Sequence, residues 1–279
     1  MKKFPLTVIL PLLLLVGCGR GLEPLHEKVS VDATALLVGD IDRPASSSGK
    51  VPMAIILHGL TGDRNEPHLV AVADSLNAAG IATAKFDFNG HGESGGEFVN
   101  MTLDNEFEDA LAIFGYVSSL PWVDKDRIYL VGHSQGGLEA GIVAGKLGKE
   151  KIAKVVLLAP AACIVTMAQS GSMFGIDFPI GELPEFIPFW KGTHLGRDYL
   201  ISARNMDVYG RTAAYGGPVL ILQGLSDSEG LIKDAERYTD YLPDAKYVPL
   251  EGLSHTFPED VSVVARLTRE FITGDQLSR

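Results

Sequence analysis

The sequence predicts one α/β domain, in which a mostly parallel central sheet is flanked by helices. Three observations support this prediction. The 279 residues are 46% hydrophobic, which suits a single large core. Segments rich in β-branched residues alternate with helical patterns along the chain, as in parallel sheets with helical crossovers. Residues 52–57 form a continuous apolar run, typical of a strand buried on both faces.

Turn and cap residues delimit the first elements. Alternating apolar residues predict a strand over residues 29–38, which could be antiparallel, and a Pro- and Ser-rich turn follows it. Helical spacing over residues 67–79 stops at Gly80, a residue type that commonly ends helices. A strand over residues 81–88 then leads through a glycine-rich loop to a helix over residues 103–118.

The second half repeats strand and helix around one interruption. In residues 161–216, the stretch FGIDFPIGELPEFIPFW is dense in proline and aromatic residues, and neither the helix nor the strand period fits it. A long irregular insert of this kind predicts a small cap over a functional site, rather than a loop that covers a sheet edge. We expect strands over residues 128–131, 154–159, 218–223 and 246–250. Helices are expected over residues 135–147 and 261–273, and a further helix should include residues 235–241.

The N-terminal residues predict export from a bacterial cell. In residues 1–17, Lys2 and Lys3 precede an apolar run that is short for a membrane-spanning helix, as in a secretory signal peptide. The following Cys18 completes a stretch, LVGC, that resembles a bacterial lipobox, in which the cysteine is lipidated. An ordinary signal peptide with an incidental cysteine is the alternative. Residues 18–28 are then expected to be a tether, and residues 29–279 the folded domain.

Charge and cysteine content restrict the partners. The net charge of −11 argues against nucleic acid and anionic lipid, so we expect membrane contact only through a lipid on Cys18. The only other cysteine, Cys163, follows an apolar strand and is expected to be a small buried residue. Neither property indicates the oligomeric state.

A serine stands between glycines where a strand should turn into a helix. In YLVGHSQGGLEA, Gly132, Ser134 and Gly136 have the G-x-S-x-G spacing. A sharp turn there would lift the serine hydroxyl above the sheet edge, and the glycines would remove the Cβ atoms that clash. The pattern predicts that Ser134 is a nucleophile.

A serine hydroxyl needs a base, and the order of the chain selects one. In this architecture an acid and then a histidine follow the serine, each after a strand. Of seven histidines, only His255 follows the last strand. Asp227 follows the strand PVLILQG and is the predicted acid, with Glu229 as the alternative. Asp227 would orient His255, which would take the proton of Ser134.

Two backbone N–H groups are predicted to bind the oxyanion of the reaction. The residue after the nucleophile, Gln135, supplies one of them. The loop HGLTG after an earlier strand should supply the second, from Leu60. The predicted chemistry needs no metal or cofactor.

A second glycine motif favours a turn over a nucleotide site. Gly90, Gly92 and Gly95 have the G-x-G-x-x-G spacing of dinucleotide-binding loops. That motif should open a helix at its glycines, whereas here the helix is expected to begin after Thr102, a suitable N-cap. We therefore expect a tight glycine-shaped loop.

The whole set of motifs resembles the α/β-hydrolase superfamily, and within it the bacterial cinnamoyl and feruloyl esterases. The matching stretches are LHGLTGDRN, FDFNGHGESGGEF, NMTLDNEFEDA, YLVGHSQGG, VVLLAPAA, HLGRDYL and EGLSHTF. The resemblance implies a triad of Ser134, Asp227 and His255, oxyanion donors at Leu60 and Gln135, and an insert that caps the acyl pocket. It also implies that Tyr199 contacts the phenolic end of a hydroxycinnamoyl group.

Some residues depart from the feruloyl pattern. Met167 stands where these esterases can carry a phenol-binding aspartate, and the segment after the acid reads Ser228-Glu229-Gly230 where it is usually apolar. Met167 and Phe174 belong to an apolar and aromatic set in the insert that suits an apolar or aryl acyl group.

The sequence thus predicts a serine carboxylesterase that acts on a small ester, with hydroxycinnamoyl or other aryl or apolar acyl groups as the expected substrates. A lipase or a serine peptidase could use the same triad, so both stay open as alternatives. A catalytically silent lipoprotein that binds a ligand on the same scaffold is the non-enzymatic alternative.

Overall fold

A central sheet of eight strands organises the domain. The computed structural model describes residues 23–46 and 49–277. The strand order in the sheet is β1-β2-β4-β3-β5-β6-β11-β12. These strands are β1 Leu25–Asp32, β2 Leu36–Arg43, β3 Val51–Leu57, β4 Ala82–Phe86, β5 Val123–His133, β6 Lys154–Leu158, β11 Val219–Gly224 and β12 Lys246–Leu250.

The sheet is parallel except at one edge. All pairings from β4 to β12 are parallel, whereas β1 pairs with β2, and β2 with β4, in antiparallel orientation. The prediction of a mostly parallel sheet with helices is confirmed. Because the carboxyl ends of parallel strands meet at one edge, the loops after β3, β5, β11 and β12 converge there.

Helices cover both faces of the sheet. Alternation along β3 shows this. Ile56 packs with the helices over residues 67–78 and 261–273 on one face, while Ile55 packs with those over residues 103–119 and 135–147 on the other. The helices are α1 Pro67–Ala78, α2 Leu103–Ser119, α3 Gln135–Leu147, α4 Cys163–Ser170, α5 Arg197–Asn205, α6 Val208–Ala213, α7 Glu229–Tyr241 and α8 Val261–Thr273.

The N-terminal edge differs from its prediction. The single strand expected over residues 29–38 is a hairpin, because Ser30 pairs with Val38 across a turn at residues 33–35. Residues 25–28, expected to be tether, belong to β1, where Lys28 lies opposite Asp40. The predicted signal peptide and Cys18 lie outside the described residues.

The insert contains more regular structure than predicted. It holds α4, α5 and α6, together with two small antiparallel hairpins and a 3-10 turn, Trp190–Gly192. These helices have 8, 9 and 6 residues, so each gives too few repeats for a clear helical period in the sequence. The hairpin strands are β7 Ser172–Met173, β8 Ile176–Asp177, β9 Phe186–Pro188 and β10 His194–Gly196.

The buried cysteine and the lengths of the helices complete the description of the fold. Cys163 is buried, as predicted. Over the described ranges, no helix combines the length and the apolar character that crossing a bilayer requires.

Candidate active site

A strained turn presents Ser134. The residue lies between the end of β5 at His133 and the start of α3 at Gln135, with φ 56° and ψ −120°. This positive φ is uncommon for a residue with a side chain and indicates that the surrounding structure holds it. A Cβ on Gly132 would collide with the carbonyl of Gly136, so α3 can cross the end of β5 this closely only with glycine there.

The structure brings the three predicted triad residues together. His255 lies in the loop between β12 and α8, and its Nε2 is 2.9 Å from Ser134 Oγ. Its Nδ1 is 2.7 Å from Oδ2 of Asp227, which follows β11. The alternative acid, Glu229, is exposed and pairs with Lys233.

Asp227 is held as a carboxylate by three donors. Burial alone would raise the pKa of Asp227, but hydrogen bonds from His255, the Ser228 N–H and the Gln223 amide hold it below its ordinary value. The Gln223 contact is 3.0 Å long, and this side chain is fully buried at the end of β11. Gln223 was not predicted from the sequence, where its only signal is a polar residue that ends an apolar strand next to the acid.

The two predicted oxyanion donors belong to segments next to the serine, since Gln135 follows it directly and Gly59, beside Leu60, lies close to the Ser134 side chain. Leu60 follows β3, and Gln135 is the first residue of α3. Among the described residues, no hydrogen bond uses the N–H of either one. Both groups are therefore available to an oxygen that develops negative charge.

Two buried histidines shape the loop that carries Leu60. The Thr61 N–H donates to His91 Nε2 at 3.3 Å, and the Phe88 N–H donates to His58 Nε2 at 2.9 Å. Burial lowers the pKa of His58 to about 3 and also lowers that of His91, so both rings are neutral acceptors. Neither role was predicted from the sequence.

The second glycine motif is a tight loop that supports the site. Gly90 and Gly92 have φ values of 72° and 49°, and α2 begins only at Leu103, where the side chain of Thr102 caps it. This agrees with the predicted turn. A Cβ on Gly92 would collide with the Asp87 carboxylate, which pairs with buried Arg64.

The predicted substrate contacts lie on three different parts of the cap. Met167 is half-buried on α4, whereas Phe174, between β7 and β8, is 43% exposed. Tyr199 on α5 is completely buried, and its hydroxyl donates to Gln135 Oε1 at 2.7 Å. In this structure the hydroxyl of Tyr199 therefore has a protein partner, and the side chain offers no surface to a substrate.

Comparison with known proteins decides the family. A family model described as "Serine aminopeptidase, S33" matches residues 52–176. A structure of Est1E from Butyrivibrio proteoclasticus with ferulic acid bound superposes with a TM-score of 0.84, at 31% identity, over 88% of this chain and 98% of that chain. The chain belongs to the α/β-hydrolase superfamily.

Two curated relatives match the hydrolase over shorter stretches. An uncharacterized 31.7 kDa protein of Escherichia coli is 36% identical over 88 residues, which are 32% of this chain and 30% of the relative. The quorum-quenching protein AidA of Acinetobacter baumannii is 31% identical over 110 residues, 39% of this chain and 35% of the relative. The hydrolase thus matches only about a third of the length of either relative.

A buried network of acids supports the residue after the serine in this hydrolase. The Gln135 amide donates to Glu106 Oε2 at 2.7 Å, while its oxygen accepts from Tyr199. Burial raises the pKa of Glu106 to about 8 and that of Glu139 well above its ordinary value. Glu106 is therefore protonated at neutral pH, which makes its burial far less costly.

One group of side chains in the hydrolase has the composition of a metal site. Among the described residues, Glu66, His68 and His133 place one ligand atom each within 4.8 Å of one another. None of them belongs to the predicted triad.

Proposed function

We propose that the protein is a serine carboxylic-ester hydrolase that acts through an acyl-enzyme. The observation that carries this proposal is the pair of contacts made by His255, 2.9 Å from Ser134 Oγ and 2.7 Å from Asp227 Oδ2. One imidazole nitrogen can accept the serine proton while the other donates to the carboxylate, which is the arrangement that activates a serine.

The reaction follows from this arrangement. Ser134 Oγ attacks the ester carbonyl as His255 takes its proton, and the N–H groups of Leu60 and Gln135 bind the resulting oxyanion. His255 then returns the proton to the leaving alcohol, and the acyl group stays on Ser134. Water, activated by the same imidazole, releases the acid and restores the serine.

Aryl and other apolar acyl esters, including hydroxycinnamoyl esters, are the proposed substrates. The likeness to Est1E, whose structure contains ferulic acid, supports an aromatic acyl group. The cap contributes aromatic rings, such as Phe174 and Phe189 with centroids 5.0 Å apart. Apolar walls with few polar anchors favour such groups.

A peptidase is the second candidate, because the matching family model is described as a serine aminopeptidase. The same triad can attack an amide, so the choice depends on leaving group and acyl pocket. We propose the esterase because the likeness to Est1E extends over 88% of the chain, whereas the family model matches residues 52–176.

A substrate panel tests the proposal. Purified protein and the Ser134→Ala variant are compared on methyl ferulate, methyl cinnamate, an alkyl ester, a triacylglycerol and an aminoacyl anilide. We expect the highest kcat/KM on the aryl esters and none of this turnover in Ser134→Ala. Preferred cleavage of the anilide would favour the peptidase, and preferred cleavage of the triacylglycerol a lipase.

We propose further that the hydrolase is exported and anchored by a lipid on Cys18. Support comes from the sequence alone, through Lys2, Lys3, the apolar run and the lipobox-like LVGC. Mass spectrometry of the processed protein should find a lipidated Cys18 at its N-terminus. An unmodified cysteine, or Cys18→Ser protein that still partitions with membranes, would contradict the anchor.

A further inference from the structure

Next to the triad lies a cluster of ligand-type side chains that the proposed reaction does not use. Glu66 and His68 lie at the start of α1, and His133 is the last residue of β5. The rings of His68 and His133 have centroids 4.2 Å apart, and the ring of His133 is 4.9 Å from that of His255. The cluster therefore lies next to His255, at the same sheet edge as the nucleophile.

Each member of the cluster has a buried polar atom without a hydrogen-bond partner among the described residues. These atoms are Glu66 Oε2, His68 Nε2 and His133 Nδ1. The two histidines are only 1% and 2% exposed. Buried polar atoms are nearly always paired, so three unpaired atoms in one cluster indicate a missing common partner.

The hydrogen bonding of His133 shows what kind of partner its Nδ1 can take. His133 Nε2 lies 3.0 Å from the backbone oxygen of His255, and only a protonated nitrogen can donate to that carbonyl. Nδ1 of the neutral ring then carries a lone pair. A histidine whose second nitrogen donates to a backbone carbonyl is the usual form of a metal ligand.

Charge and chemistry favour a cation over an anion or an apolar ligand. The cluster offers one carboxylate oxygen and two imidazole nitrogens, which are the atoms that coordinate a metal ion. Two imidazoles and one carboxylate form a ligand set that zinc and related ions commonly use.

We propose that Glu66, His68 and His133 bind one divalent transition-metal ion, such as zinc, next to His255. Zinc–ligand bonds of about 2.1 Å place tetrahedral ligand atoms roughly 3.4 Å apart, so the side chains must close in from their present spacing. The ion does not touch the ester; it is separate from the proposed hydrolytic chemistry.

The position of the ion couples it to the triad. His133 donates to the backbone of His255, so a metal on Nδ1 strengthens that donor and holds the loop of the catalytic base. The positive charge also opposes the imidazolium that forms when Ser134 attacks. We therefore expect bound metal to slow turnover reversibly.

Cobalt(II) provides a direct probe of the site. The full chain, treated with a chelator and dialysed, is titrated with Co²⁺ in the Ser134→Ala background while visible absorption is recorded. We expect one equivalent to give the intense bands of a four- or five-coordinate ion, and Zn²⁺ to displace it. Because the serine is absent, the outcome does not depend on the proposed esterase activity.

Variants assign the signal to these residues. Glu66→Gln and His68→Gln should each weaken Co²⁺ binding by at least about 100-fold, since loss of even an outer partner of a metal ligand costs 10–100-fold. His26→Gln removes an exposed histidine 2.6 Å from Asp42 and should leave binding unchanged. Thermal melting checks that each variant is folded, and Glu66→Gln is a nearly isosteric change at a half-buried position.

Three results would overturn the proposal. One is the absence of stoichiometric Co²⁺ or Zn²⁺ binding, which would leave a bridging water as the common partner. Another is binding that persists in both Glu66→Gln and His68→Gln. The third is binding that His26→Gln abolishes, which would assign the ion to the surface.

Discussion

The hydroxyl of Tyr199 donates to the side-chain oxygen of Gln135 at 2.7 Å, in a position that is closed to solvent. This contact joins the cap to the residue whose N–H is a proposed oxyanion donor. It gives Tyr199 a structural partner in place of the phenolic group that the sequence resemblance implies.

Substitution of Tyr199 separates these two roles. Tyr199→Phe leaves the amide oxygen of Gln135 without a donor, so we expect the free energy of unfolding to fall by about 1–3 kcal/mol. The ratio of kcat/KM values for methyl ferulate and methyl cinnamate should stay constant. Urea unfolding and steady-state kinetics measure the two effects. A changed ratio at unchanged stability would show that Tyr199 contacts the substrate, as the sequence resemblance implies.

Gln223 is expected to act through Asp227. Its amide donates to Asp227 Oδ2 at 3.0 Å, and Gln223→Leu removes that donor from a buried carboxylate. We expect kcat to fall about 10-fold, the worth of one hydrogen bond to a charged group. Asp227→Asn is the reference, with an expected loss of about 10⁴. Unchanged kcat in a folded Gln223→Leu variant would show that Gln223 does not act through Asp227.

Glu106 should make stability depend on pH. Its pKa is about 8 in the folded protein, against an ordinary value of 4.5, because it is buried. Between these values the folded chain holds a proton that the unfolded chain has lost, so the free energy of unfolding decreases as pH rises. Below about pH 4.5 both states are protonated and this loss is absent.

The Glu106→Gln substitution removes the part of this pH dependence of stability that is due to Glu106. The variant should gain stability relative to the wild type between about pH 5 and about pH 9, since it lacks the loss due to Glu106, while Glu139, whose pKa is also raised, is present in both proteins. Urea unfolding at both pH values measures the difference. A difference that does not change with pH would show that Glu106 titrates normally.

Substitutions at Met167 test whether this side chain lines the acyl pocket. The side chain is half-buried on α4, at the position where the resembling esterases can carry an aspartate. Met167→Asp should raise the preference for ferulate over cinnamate esters, because the carboxylate can accept from the phenol hydroxyl. Met167→Leu is the size-matched control and should keep the wild-type ratio. Equal ratios in all three proteins would place Met167 outside the pocket.

Local patterns were sufficient to predict the sheet and the order of the triad. The boundaries of α3, β12 and α8 agree with the predictions, because Gly-rich turns and a clear periodicity of the apolar residues delimit these elements. Ser134 and His255 could be selected because a strand-to-helix turn and the last strand are recognisable in sequence.

Contacts between distant segments could not be predicted in this way. Tyr199 pairs with Gln135, and His91 holds the loop of Leu60, only because segments far apart in the chain meet at one edge of the sheet. The cluster of Glu66, His68 and His133 arises from the same convergence, since the residues come from two elements that are far apart in the chain. The cap helices were missed because each is too short to show a period.

Covalent labelling of Ser134 tests the central proposal most directly. A fluorophosphonate, which modifies only activated serines, is incubated with the native protein, with His255→Ala and with Ser134→Ala, and the adduct is located by mass spectrometry. We expect one adduct, on Ser134, in the native protein, a strongly slowed reaction in His255→Ala, and none in Ser134→Ala. We also expect kcat to fall by roughly 10⁴–10⁶ in each variant. An adduct on another residue, or near-normal turnover in either variant, would contradict the proposed esterase mechanism.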